Sequence, residues 1–534
     1  MAYPRRFGAL RLLFTLMLPV GLRPMIRAAE APPALVEQWG VFELTLAGPA
    51  SGNPFTEVTL SAAFQQDGRT LRVEGFYDGA GVYKVRFMPV TTGAWTYRTE
   101  SNRPELAGRT GRLTATAPGP ANHGPVGVRN TFHFAYADGS PFRELGTTSY
   151  AWVHQTEALQ EETLRTLAAA PFNKIRFCVF PKYYEWNHVE PGRYPFVGTA
   201  PDRWDFTRFN PEYFQHFEKR IQQLRDLGIE ADLILFHPYD GGHWGFDRMG
   251  AANDDRYLHY VVARFAAYRN VWWSMANEYD FMREKRPADW DRFFQLVQAS
   301  DPYQHLRSIH NGARIYDNNK PWVTHASIQN GSAVEDYARA MLYRDVYRKP
   351  VVFDEVKYEG NLPQRWGNLS AEEMVLRFWE GVVAGTYVGH GETYLDPNDI
   401  IWWARGGVLH GQSPARLAFL RRVMADDPVD GLEPIDKWQD NPFAGQPGQY
   451  YLGYFGRQPR TSWKFELYKT GVKEGMSFRV EVIDTWNMTI TPVPGLFVAK
   501  KQGDYTFADQ DGKSVPLPGT PFMALRIRRV EQAD

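Results

Sequence analysis

Two glutamates stand where their chemistry would be useful. The stretch VWWSMANEYD (271–280) reads as an apolar strand that ends on Asn277-Glu278, and PVVFDEVKYEG (350–360) repeats the plan and delivers Glu355. Barrels of eight alternating strands and helices carry their reactive groups at the carboxyl ends of the strands. With 271–278 as the fourth strand and 351–355 as the seventh, the two carboxyls face each other across the barrel mouth. A carboxylic acid opposite a carboxylate can protonate a leaving glycosidic oxygen while its partner attacks the sugar carbon. Glu278 is therefore the candidate acid/base and Glu355 the candidate nucleophile. Glu359, beyond the strand end in the same loop, is the rival for the second role.

Other residue types around these strand ends suit a sugar. Asn277 could hydrogen-bond the hydroxyl beside the reacting carbon, a contact that strengthens in an oxocarbenium-like transition state. Arg176, on the second strand, could hold a neighbouring carboxylate ionised. His237, Tyr239, Asp240, His243 and Trp244 follow the third strand, Trp152 and His154 the first, and Tyr183, Tyr184 and Trp186 the second. His310 and Asn311 end the fifth strand, His325 lies in the sixth, His390 and Glu392 end the eighth, and Trp402 and Trp403 follow. Aromatic faces cover the apolar faces of a sugar and short polar groups fix its hydroxyls. His237, His325, Trp244 and Glu392 rank highest among these contacts. His237, Asp240 and His243 also have a spacing that could chelate a cation, but neither HExxH nor a tight Cys/His cluster is present. No metal and no cofactor is expected. Cys178, the only cysteine, sits in the apolar run IRFCVF and reads as packing.

The elements that must position these groups follow a regular rhythm. Between about 142 and 428, strand and helix alternate. Strands are expected at 144–150, 173–180, 231–238, 271–278, 305–312, 323–329, 351–355 and 385–392. Helices are expected at 157–170, 211–228, 254–268, after Pro287, near 331–345, and at 371–384 and 414–426, with a long loop over 180–210. Before this region, residues 36–118 alternate in short strands separated by Asp-Gly and Thr-Gly turns, as an antiparallel sandwich would. The Pro/Gly-rich joint PGPANHGPVG and the hairpin pattern FHFAYADGSPF lead into the barrel. Strand patterns return beyond 430. The fold class is a central (β/α)₈ barrel (121–429) between an immunoglobulin-like N-terminal sandwich (32–120) and a C-terminal sandwich (430–534).

The chain has 534 residues, enough for two or three domains. Basic and acidic side chains nearly cancel, 60 against 61, which gives no electrostatic reason to expect nucleic acid or an anionic membrane. Its 17 Trp and 28 Tyr exceed what a core needs, leaving aromatics for sugar-stacking. Arg5, Arg6 and Arg11 precede the apolar run LLFTLMLPVGL and the small residues Ala28 to Ala31. This is the pattern of a secretory signal over 1–31, so a periplasmic or secreted protein is expected. The run is too short to span a membrane.

The stretch NKIRFCVFP (173–181), Asn277-Glu278 and Glu355 together resemble the signature of glycoside hydrolase clan A. That resemblance implies Glu278 as acid/base, Glu355 as nucleophile, Arg176 as its neighbour, and retention of anomeric configuration. The whole chain is similar to bacterial proteins with an apiosidase-like or cellulase-like barrel. In those, a domain with a strand pair like VYKVRFMPVTTGAWTYRTE (82–100) and a continuation like NHGPVGV (122–128) precedes the barrel, and a β-domain labelled collagen-binding follows it. The expected partner is an oligo- or polysaccharide; the resemblance leaves the sugar, its linkage and the oligomeric state open. Two other readings stay open. A glycan- or protein-binding module would not need both glutamates. A polysaccharide lyase would need a uronate substrate and a neutralising cation.

Overall fold

The computed structural model describes Met1 and residues 34–531, apart from 331, 429 and 436–441. Residues 2–31 of the expected export signal lie outside the described residues. Among those described, no helix is long and apolar enough to cross a membrane.

Eight parallel strands form the centre: Gly146–Thr148, Lys174–Cys178, Glu230–Phe236, Val271–Ala276, Arg307–Ser308, Ala326–Gln329, Val351–Glu355 and Tyr387–His390. A parallel bridge from His310 to Ser327 joins the fifth to the sixth and closes the ring. Most of these strands are buried along their whole length, as strands covered by helices on one side and by the barrel core on the other must be. That is why they stood out as continuous apolar runs. Among the described residues no helix falls between the fifth and sixth strands, and the loop expected over 180–210 contains a hairpin, Phe196–Thr199 with Arg203–Phe209.

The barrel floor is closed by a three-stranded sheet, Val126–Arg129, His133–Tyr136 and Pro141–Phe142. Its Phe134 packs on Trp272, His325 and Tyr387 with ring centroids 5.2, 5.7 and 5.0 Å away. Above this plug the barrel interior is ionic. Lys174 Nζ lies 3.1 Å from Glu144, 2.9 Å from Asp354 and 3.6 Å from Asp232, and Arg176 Nε lies 3.6 Å from the same Asp232.

The N-terminal region is one seven-stranded sheet folded onto itself. Its long strand Arg69–Gly79 pairs with Leu60–Gln66 through residue 74 and with Val82–Phe87 from residue 75 onward. The turn between the two halves falls at Gly75, where a Cβ would meet the Leu60 side chain at 2.6 Å. Phe64 and Phe87 then stack across the fold at 3.9 Å. Charged pairs fasten this sandwich to the barrel. Arg86 donates to both oxygens of Glu218, at 2.5 and 2.9 Å, and Arg264 donates to Glu218 at 2.7 Å and pairs with Asp78 at 2.8 Å. At the other end a nine-stranded sheet spans residues 433–530, and its Tyr454 stacks on Trp379 of the barrel helix Ala371–Val383 at 5.5 Å.

Candidate active site

A cavity of about 680 Å³ opens at the carboxyl ends of the barrel strands, and both Glu278 and Glu355 line it. The fourth strand delivers Glu278 in a left-handed conformation, with φ of +43°. Such a backbone costs a non-glycine residue about 1–2 kcal/mol and marks a position held for its direction. The seventh strand delivers Glu355 at its last residue.

The two carboxyls are held in opposite protonation states. Burial and the nearby Glu355 charge push Glu278 up to about 8, only partly opposed by Lys182. Burial works to raise Glu355 too, but His310, the Arg176 guanidinium and the Tyr150 hydroxyl outweigh it and hold this carboxyl at about 2. Tyr150 donates to Glu355, and His310 Nε2 stands 3.4 Å from the same oxygen. At neutral pH the pair is one acid and one carboxylate.

Arg176 and Asn277 lie directly behind them, each 1 % exposed. Arg176 donates to the Asn277 carbonyl at 3.0 Å, and the Asn277 amide donates to the Tyr239 hydroxyl at 3.2 Å. Asn277 is thus tied into the protein at both ends of its amide. Tyr239 and Trp403 line the cavity, as does Tyr184. Trp403, Tyr358 and Trp366 form one aromatic wall, with Trp403 5.6 and 5.0 Å from the other two rings. Gly391 makes room for it, because a Cβ there would sit 2.2 Å from the Tyr358 ring.

Several residues expected at the sugar are elsewhere, and each has a physical reason. His237 spends both ring nitrogens on the backbone: Nε2 faces the Phe180 and Pro181 carbonyls at 3.3 and 3.1 Å, and Nδ1 accepts from the Tyr239 amide at 3.2 Å. Asp240 accepts from the Gly242 amide at 3.0 Å and shapes the turn. His243 pairs with Glu190, which also accepts from the Trp244 indole at 3.1 Å, so both side chains hold the 182–194 loop in place. The proposed chelate of His237, Asp240 and His243 does not converge. Among the described residues, no group of three His, Cys, Asp or Glu could hold a metal ion. Trp152 is buried against Phe177, with centroids 5.6 Å apart. His325 immediately precedes the sixth strand and lies in the barrel floor between Phe134 and Trp272.

Glu392 is the most informative correction. It accepts from the His410 and Gly411 amides at 2.5 and 2.8 Å, while Glu359, the rival nucleophile, accepts from Gln412 and Ser413 at 2.7 and 3.1 Å. Two buried carboxylates thus receive four successive amides: Glu392 those of the loop before helix Ser413–Met424, and Glu359 those of the helix start, where unpaired N–H groups and the helix dipole favour negative charge. Burial and the Glu359 charge push Glu392 up to about 7. Replacing Glu392 with alanine removes the acceptor of two part-buried amides, and we expect a loss of about 1–3 kcal/mol in urea unfolding at pH 7. Glu392→Gln, which keeps one acceptor, should lose less. A residue that merely touched sugar would leave stability unchanged.

Sequence reasoning missed Tyr150, Gln329, Tyr358, Trp366 and above all Lys182. The signal for Lys182 was a single cation in the aromatic run PKYYEW directly after the second strand.

The model of an apiosidase-like catalytic domain matches residues 129–474, and two domains of unknown function, DUF5060 and DUF5605, match 35–102 and 438–528. A search of curated proteins found no match. Among solved structures, a Bacteroides vulgatus ATCC 8482 protein assigned as a glycoside hydrolase is 44 % identical, with a TM-score of 0.90 over 93 % of this chain and 100 % of its own. A family 5 glycoside hydrolase from the same organism shares the fold at 16 % identity, with a TM-score of 0.54 over 79 % of this chain and 97 % of its own. With its barrel, its flanking β-domains and this extent of similarity, the chain belongs to the apiosidase-like catalytic domain family.

Proposed function

We propose that this glycosidase cleaves an O-glycosidic bond by double displacement, with Glu355 as nucleophile and Glu278 as acid/base. The observation that carries the reading is the pair itself: one cavity, two carboxyls, one held neutral and one held ionised. Glu355 attacks the anomeric carbon as Glu278 gives its proton to the departing oxygen, leaving a glycosyl ester on Glu355. Glu278, now a carboxylate, takes a proton from water; the water oxygen bonds the anomeric carbon and the ester bond breaks. Retention requires carboxyls about 5–5.5 Å apart. Tyr150 and Arg176 keep Glu355 charged, and Tyr184, Tyr239 and Trp403 offer faces for the sugar rings. The basic, then apolar, N-terminus supports action outside the cytoplasm, on a plant or microbial glycan.

The test is stereochemical. Wild-type protein is incubated with a panel of aryl glycosides and polysaccharides, and the first-formed sugar is followed by proton NMR. The anomer of the substrate should appear first and then mutarotate. Release of the opposite anomer would replace double displacement with single displacement.

A further inference from the structure

Lys182 is an unusual tenant of a sugar site. It is 1 % exposed yet lines the cavity, and its Nζ stands 3.9, 4.0 and 3.8 Å from the ring centres of Tyr150, Tyr184 and Tyr239, with Trp403 at 5.1 Å. These rings rise from the ends of the first, second, third and eighth strands and enclose the ammonium on several sides. Ring faces stabilise a desolvated cation, but they supply no lone pair for its three N–H donors. Among the described residues no carboxylate lies within ion-pair distance of it, although the charges of Glu278 and Glu355 both act on it. The open side of this cage is the cavity.

The wider balance of charge points the same way. Lys357 and Arg365 line the cavity beyond the cage, and no carboxylate among the described residues pairs with either at ion-pair distance. Against these three cations stand Glu185, Glu355 and Glu278, and Glu278 is protonated at neutral pH, so the side chains lining the cavity carry a net positive charge. A neutral sugar would bury that excess without compensation. A charged group is expensive to desolvate unless it is paired.

We propose that the sugar seated between Glu278 and Glu355 bears a carboxylate, a uronic acid, whose negative charge is received by the caged Lys182 ammonium, with Lys357 and Arg365 drawing the acidic glycan to the cavity. The proposal rests on the hydrolase reading for where the sugar sits. Burial has already lowered Lys182 to about 8, the behaviour of an ammonium that lacks its counter-charge and would regain it on binding.

The experiment uses the full chain and matched polymers. Polygalacturonate, alginate, glucuronoxylan and hyaluronan are each prepared in native form and with their carboxyls reduced to alcohols. Retardation in affinity electrophoresis is read for Glu278→Gln protein, and released reducing ends and the absorbance of any new double bond are read for wild type. At least one native polymer should be retained and its reduced form released. Retention should fall about 30-fold or more in Lys182→Met, the usual cost of truncating a buried charge pair, and largely return in Lys182→Arg. Lys357→Ala, at a half-buried position on the cavity wall, should weaken retention of the same polymer. Equal retention of native and reduced polymers, indifference to Lys182→Met, or retention of none of the four would overturn the proposal. Cleavage of the reduced polymers as fast as the native ones would also overturn it while leaving the hydrolase standing. Retention of a native polymer with no cleavage, or with a new double bond, would instead remove the hydrolase reading and keep the acidic sugar.

Discussion

Glu355→Ala should lower kcat/KM by about 10⁵-fold, close to 7 kcal/mol of transition-state stabilisation, because the covalent route disappears with the carboxylate. No neighbour can replace it. Tyr150 is held protonated by burial, and Glu359 is committed to the amides of residues 412 and 413. The substitution opens a small space lined by Arg176, His310 and Tyr150, which is suited to an anion. Azide should enter it and restore turnover of an aryl glycoside with a good leaving group. The product should be a glycosyl azide of configuration opposite to the substrate, identified by its NMR coupling constant. A protein that keeps activity within tenfold of wild type, or yields no azide adduct, would take the nucleophile's role away from Glu355.

The parts of the molecule that could be read from its sequence are those whose physics is local and repetitive. A barrel strand covered on both faces must be apolar throughout, so Val271–Ala276 and Val351–Glu355 announced themselves, together with the residues at their ends. The strand order of an eight-fold barrel then placed Glu278 and Glu355 in one cavity. The direction of a loop side chain is not local. A buried polar group in a loop must find a partner, and most partners are backbone atoms distant in sequence. His237 faces carbonyls 56 and 57 residues away, and Glu392 reaches amides 18 and 19 residues on. Their type and position near a strand end resemble those of a ligand contact, yet their hydrogen bonds are already spent. His325 was readable in principle: a residue just ahead of a strand belongs to the barrel floor, and only the loose register of the sixth strand hid this. Lys182 was hidden because a lone lysine among aromatics looks like surface until Tyr150 and Tyr239, from the first and third strands, close around it with its neighbour Tyr184.

The pH profile is the second large effect, and its sign follows from the same charges. Glu278 must be protonated for the first step, and its raised value keeps it so below about pH 8. Glu355 must be ionised, and its depressed value keeps it so above about pH 2. For a substrate whose leaving group needs a proton, kcat/KM should therefore be flat across the acid and neutral range while the protein stays folded. It should then fall tenfold per pH unit above about 8. The limb belongs to the interacting set of Glu278, Lys182 and Glu355 and not to one residue alone. Each change to the set moves it in a stated direction. Lys182→Met removes a cation that lowers Glu278, so the alkaline limb should shift upward. In Glu355→Ala the anion that raises Glu278 is gone, so the Glu278 carboxyl should titrate lower, read by NMR and not by turnover. Glu278→Gln should abolish the limb and slow substrates with poor leaving groups by about 10²–10⁴-fold, while aryl glycosides that need no proton keep a fast first step. Initial rates across pH 4–10, on one aryl glycoside with an acidic phenol and one with a basic alcohol, separate these cases. A profile that falls on the acid side near pH 5, or a limb unmoved by Lys182→Met, would assign the proton to a group other than Glu278.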